Sequence, residues 1–183
     1  DGDRRVDIVV ANSNSDYGGA PNQLLLGSAM GGFEEAVTLP GGSLTTTSVA
    51  LGDIDGDGFV DIVFANRGAS NQLLHGQGDG SFMLLTNLPG GSNLWTTSVA
   101  LGDLNADGKL DIVFANDYAG ANGSPGGPNQ LLLGSSTGDF ASPVTLPGGS
   151  SRTSSVALDD VDGDGYVDIV FANVDAANQL LLG

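Results

Sequence analysis

The sequence predicts an all-β protein, a β-propeller of four-stranded antiparallel blades with about 3.5 blades in this chain. Three observations predict it. The same short segments recur in a fixed order at intervals of 50 and 57 residues, the repeat length of a small β-unit. Apolar stretches are short and β-branched, and no helical periodicity is present. Thirty glycines and seven prolines supply many turns.

Each element follows from its repeats. Ser-Val-Ala-Leu at 48–51, 98–101 and 155–158 opens a unit as strand A, read in the second unit as Ser48 to Gly52. Strand B is the Asp-Ile-Val run, with copies at 7–9, 61–63, 111–113 and 168–170. Val60 to Ala65 is apolar without polar alternation, as a strand buried on both faces should be. Strand C is Asn-Gln-Leu-Leu, beginning at Asn22, Asn71, Asn129 and Asn178; in the second unit it spans Asn71 to His75. Strand D is Phe82 to Leu88, and Leu-Pro-Gly-Gly ends the unit because proline and glycine break a ladder. The period lengthens where Asp117 to Pro128 replaces Arg67 to Ser70. A β-sandwich is the rival fold, but it does not need one strand sequence four times.

The expected organisation is a single repeat domain over 1–183, with a partial blade at 1–47, blades at 48–97 and 98–154, and a partial blade at 155–183. Three A, four B, four C and three D strands are expected, 14 in total. Both outer units carry a B and a C strand, so they do not complement each other in one shared blade. Part of a larger propeller, a covalent continuation beyond both ends, or self-assembly is therefore expected. Asp1, Gly2 and Asp3 match positions 3 to 5 of an acidic loop whose first carboxylate is absent.

The acidic loop carries the chemistry. Asp53-Ile54-Asp55-Gly56-Asp57-Gly58-Phe59-Val60-Asp61 sets carboxylates at positions 1, 3, 5 and 9. So much like charge in one turn calls for a cation. Calcium fits, because it takes 6–8 oxygen ligands including carboxylates and a backbone carbonyl. The expected ligands are Asp53, Asp55, Asp57, the Phe59 carbonyl and Asp61. The second loop offers Asp103, Asn105, Asp107, the Lys109 carbonyl and Asp111; the third offers Asp160, Asp162, Asp164, the Tyr166 carbonyl and Asp168. The first keeps only Asp1, Asp3 and Asp7 and has Arg4 where glycine is expected, so a weak or empty site is expected there. An EF-hand is excluded: its twelfth position needs glutamate, where this chain has Phe64, Phe114 and Phe171, and its loop leads into a helix.

These residues resemble the FG-GAP or VCBS repeats, which build calcium-binding propellers in integrin α chains, fungal propeller lectins and secreted bacterial proteins. Leu-Gly-Asp-Ile-Asp-Gly-Asp-Gly-Phe-Val-Asp-Ile-Val at 51–63 and its copies carry the resemblance, with Asn-Gln-Leu-Leu and Gly-Asp-Gly-Ser-Phe at 78–82. It spans essentially the whole chain. It implies calcium loops between the first two strands of each blade; it does not specify a ligand, because fold does not fix function.

Composition narrows the function classes. Five basic against 22 acidic residues give a net charge of −17, which argues against nucleic acid and anionic membranes. No apolar run is long enough for a membrane helix. Cysteine is absent, which removes disulfides and thiolate zinc sites. No signal peptide is seen, although the chain begins inside a motif and an upstream segment could be missing. His75 is the single histidine and replaces Leu26, Leu133 and Leu182 of the other units, which reads as a strand-end substitution. With one histidine and no cysteine, nucleophile–base pairs are nearly unavailable, so no enzyme is expected. Calcium-bound carboxylates are poor proton carriers for glycoside hydrolysis. Trp95, Tyr17 and Tyr118 are read as aromatics outside the strands; Tyr17 and Tyr118, in the B–C loops, suit stacking on a sugar or docking a protein, and equally suit covering an edge. Asn122-Gly123-Ser124 is an N-glycosylation sequon followed by Pro125, and Thr/Ser runs precede each A strand. The expectation is an extracellular or cell-surface recognition or adhesion module for a glycan or protein. The alternative is a structural repeat of a surface layer, sheath or filament.

Overall fold

The computed structural model describes residues 1–13, 20–90, 94–117, 127–147 and 151–183. Among these there is no helix, and so none long and apolar enough to cross a membrane. The strands form four antiparallel meanders in which each strand pairs with its neighbour in sequence. The first sheet holds β1 (Ile8–Val10), β2 (Gln23–Leu25) and β3 (Val37–Thr38). The second holds β4 (Thr46–Gly52), β5 (Asp61–Asn66), β6 (Gln72–Gly76) and β7 (Phe82–Asn87). The third holds β8 (Trp95–Gly102), β9 (Asp111–Asp117), β10 (Gln130–Leu132) and β11 (Val144–Thr145). The fourth holds β12 (Thr153–Asp159), β13 (Asp168–Asn173) and β14 (Gln179–Leu181).

The sheets stack face to face in chain order. Successive side chains of a strand point to opposite faces, and β5 shows the consequence. Ile62 and Phe64 pack with Leu24 of the first sheet and with Leu39, just after β3. Val63 and Ala65 pack with Ile112 and Phe114 of the third. In β9 the partition repeats, with Val113 and Ala115 facing Ile169 and Phe171 of the fourth sheet. Both central strands are buried along their apolar length, which explains why the sequence shows no alternation there. Close packing also limits side-chain size. A Cβ on Gly52 would lie 2.7 Å from Leu110 Cδ1 and 3.0 Å from Leu101 Cδ1 of the next sheet.

One register is used three times. Gly52 pairs with Asp61, Val49 with Phe64 and Thr46 with Asn66, with an irregularity between Thr46 and Ser48. The pairs Thr96–Asn116 and Thr153–Asn173 repeat it, with the same shift. The extra residue fits a β-bulge, and its side chain joins neighbouring sheets. Thr47 Oγ1 lies 3.1 Å from the Ala65 carbonyl and 2.6 Å from the Thr96 carbonyl. Thr97 does the same towards Ala115 and Thr153.

A neutral polar chain runs through this end of the stack. Asn71 Oδ1 accepts the Asn66 backbone N–H at 2.8 Å, while Asn71 Nδ2 donates to Thr96 Oγ1 at 3.1 Å. Thr96 Oγ1 in turn donates to Asn116 Oδ1 at 2.9 Å. Asn22–Thr46–Asn66 and Asn129–Thr153–Asn173 repeat the relay. Asn66, Thr96 and Asn116 are fully buried, and each of their polar groups in the relay has a partner.

Candidate metal sites in the acidic loops

At the opposite end of each A–B strand pair the chain turns through nine residues, and backbone geometry dictates which residues these are. Gly56 and Gly58 have φ of 77° and 91°, a left-handed region that residues with a Cβ seldom occupy. Gly163 and Gly165 occupy the same places in the third loop; Ala106 and Gly108 do so in the second, where Ala106 accepts a φ of 56°. The first loop keeps this path, with Gly2 at 81° and Arg4 at 69°. The missing glycine is therefore tolerated in the backbone at a local cost of about 1 kcal/mol.

The turn aims backbone N–H groups at the carboxylates. Asp53 accepts from Gly56 and Gly58 through its two oxygens, at 2.8 and 3.0 Å. Asp55 Oδ1 accepts from Asp57 N–H and Asp57 Oδ1 from Phe59 N–H. The set Asp103, Asn105 and Asp107 repeats this, with Asn105 Oδ1 accepting at 3.0 Å. Asp160, Asp162 and Asp164 repeat it again. In the first loop Asp1 and Asp3 accept from Asp3 and Arg5. The amides thus orient the carboxylates and satisfy hydrogen bonds without cancelling net charge.

The last aspartate of each loop does a second job. Asp61 is fully buried; Oδ2 accepts the Ile54 N–H at 2.8 Å and Oδ1 the Gly76 N–H at 2.9 Å. Asp111 spans Leu104 and Gly134, and Asp168 spans Val161 and Gly183, in the same way. The glycine is required, since a Cβ on Gly76 would lie 2.2 Å from the Val60 carbonyl oxygen. Gly27, Gly134 and Gly183 sit against Val6, Leu110 and Val167 alike. These four glycines were not singled out as site residues, yet Asn-Gln-Leu-Leu-x-Gly with Gly27, Gly76, Gly134 and Gly183 is legible in all four units. Burial pushes the Asp61 carboxyl above the ordinary carboxylate range, despite the two amides that oppose the shift. Asp7, by contrast, is held below that range, chiefly by the Gly27 N–H.

Three sets of side chains bring ligand atoms within 4.8 Å of one another among the described residues: Asp53, Asp55 and Asp57; Asp160, Asp162 and Asp168; and Asp55, Asp61 and His75. The first two come from the sequence-predicted ligand sets, and their all-oxygen chemistry fits a hard divalent cation such as calcium. In the second loop the Lys109 ammonium lies 3.5 Å from Asp107, and Asn105 removes one charge. In the first, Arg5 pairs with Asp3. The third set contains the histidine read as a strand-end substitution. Tyr17, Tyr118 and the Asn122 sequon lie outside the described residues; Trp95, expected outside the strands, instead opens β8 and pairs with Asp117, and the Arg67 guanidinium lies 3.7 Å from its ring centre.

The repeat unit defined by these loops matches a known family. The FG-GAP-like repeat is found three times, over residues 1–64, 53–114 and 115–171. The chain belongs to the FG-GAP-like repeat family. Each match ends on Phe64, Phe114 or Phe171, three residues after the last aspartate of a loop, so each FG-GAP-like match closes just past an acidic loop. No curated protein matches the chain significantly.

Proposed function

We propose that this FG-GAP-like chain forms a calcium-stabilised β-propeller or a segment of one, acting outside the cell in recognition or adhesion rather than catalysis. One observation carries the reading: three loops repeat the same amide-to-carboxylate pattern with Asp53, Asp103 and Asp160 as first residue. Calcium would be held by Asp53, Asp55, Asp57, Asp61 and the Phe59 carbonyl, and by their counterparts in the second and third loops. Bound there it supplies positive charge, which cancels carboxylate repulsion and pins the turn between the first two strands. Repeated four-stranded meanders stacked through both faces are the architecture of consecutive propeller blades. A requirement for calcium suits the extracellular medium, where the ion is abundant.

The ligand proposed is a glycan or an extracellular protein. It is tested by binding of the monodisperse chain to glycan and matrix-protein arrays, with calcium and with a chelator. Binding to a defined sugar set or matrix protein in calcium supports the reading, and silence across glycans and matrix proteins overturns it. A structural repeat in a layer or filament is the second reading. It is favoured by apolar side chains on the outer sheets, where Leu180 of the fourth sheet and Leu182 just after β14 are exposed. Ordered polymers in sedimentation and electron microscopy would select it.

A further inference from the structure

The second sheet holds something its neighbours lack. Strand β6 carries His75 where the other units have Leu26, Leu133 and Leu182. Because Ile62 pairs with Leu74, His75 comes to lie across from Asp61 at the loop's end. Its Nδ1 is 3.0 Å from Asp55 Oδ2 and 3.8 Å from Asp61 Oδ1. We infer that His75, Asp55 and Asp61 bind a divalent transition-metal ion of the zinc class, at a position that shares Asp55 and Asp61 with the proposed calcium site and adds an imidazole nitrogen.

Geometry and donor chemistry both support this. A tetrahedral ion with bonds of about 2.0–2.1 Å separates its ligand atoms by about 3.4 Å; the two measured separations bracket that value. The carboxylates are pre-oriented by hydrogen bonds of their own, as metal-ligating groups usually are. Asp55 Oδ1 is occupied by the Asp57 N–H, which leaves Oδ2 for His75. Asp61 is fixed by Ile54 and Gly76. The turn of the third sheet roofs the group. Gly138 sits so close that a Cβ on it would be 3.0 Å from both Asp55 Cβ and His75 Cε1. The His75 side chain keeps 15% of its surface exposed, so an ion can enter and water can fill a remaining position. An imidazole nitrogen with carboxylates suits zinc, whereas calcium prefers oxygen alone. The inference goes beyond the calcium reading and does not need the loop to hold calcium.

The test is a zinc titration of the chelator-stripped chain by calorimetry, run without calcium and again in excess calcium. One equivalent of zinc should bind without calcium, and excess calcium should weaken that event because the two ions share Asp55 and Asp61. His75→Leu should weaken that event at least about tenfold. This variant carries the residue of the three sister positions, so its melting temperature in calcium should match that of the unsubstituted chain. A second readout needs no substitution. His75 is the only histidine, so its ring nitrogen resonances report directly and should shift on adding zinc. Absence of zinc binding, unchanged ring resonances, or zinc binding that His75→Leu leaves intact (an ion in the acidic loops instead) would each overturn the assignment.

Discussion

The two ends of each A–B strand pair solve the same problem in opposite ways. At one end, Asn66 of β5, Asn71 just before β6 and Thr96 of β8 link two sheets through neutral groups, each donor matched to an acceptor inside the protein. At the other, Asp53, Asp55, Asp57 and Asp61 crowd four negative charges into nine residues. Apart from the His75 ring at Asp55, their hydrogen bonds come from backbone amides, which orient the charges without cancelling them. The neutral end is complete as the chain stands. The acidic end keeps a net negative charge, so it is there that solution conditions enter the protein's stability.

The largest expected effect is removal of calcium. A ligand that binds only the folded state stabilises it by about 2.7 kcal/mol per site at a hundredfold excess over Kd. With three full loops, chelation should lower the melting temperature by many degrees, read by calorimetry with calcium and with EDTA. The neutral end supplies the contrasting arm. Thr96→Val removes the hydroxyl that serves both Asn71 Nδ2 and Asn116 Oδ1. Leaving these buried groups unpartnered should cost about 2–4 kcal/mol, by the same amount with and without calcium. A calcium-dependent cost would break the division between the two ends.

Smaller changes sharpen the acidic side. The second loop carries Asn105 where the others have aspartate, and the Lys109 ammonium near Asp107. Asn105→Asp should tighten calcium binding at that loop and lower stability without calcium by about 1 kcal/mol or less, a pair of opposite signs that melting curves can separate. The smallest expected signal is in proton binding. Burial raises the Asp61 carboxyl. Its contribution to stability in calcium-free protein is therefore complete below the unfolded-state pKa and is lost as pH rises through the folded-state value. Asp7 is lowered by the Gly27 N–H, so its contribution is present above the ordinary value and is lost as pH falls. Carboxyl carbon titrations should place the two on opposite sides of the ordinary aspartate range.

Much of the fold was legible because it is local. Asp-Ile-Val-Phe is an apolar β-branched run, and its lack of alternation foretold burial on both faces, as Ile62 and Val63 now show. The acidic loops were legible because their spacing is short and repeated. The neutral relay was not. Asn71 and Thr96 are 25 residues apart and belong to different sheets, and each in isolation looks like a residue entering or leaving a turn. The double role of Asp61 was hidden for the same reason, since its partner Gly76 lies one strand further on. His75 was visible as a departure from leucine, but its meaning depended on the β5–β6 register that sets it across from Asp61. Starting strand A at Ser48 also missed Thr46, because the bulge after it interrupts the two-residue period.

The central claim is that the acidic loops are calcium sites. Calcium titration of the chelator-stripped chain by calorimetry tests it most directly. The account predicts three binding events, reduced to two by Asp160→Asn with Asp162→Asn. No binding, or binding whose stoichiometry ignores those substitutions, would contradict it.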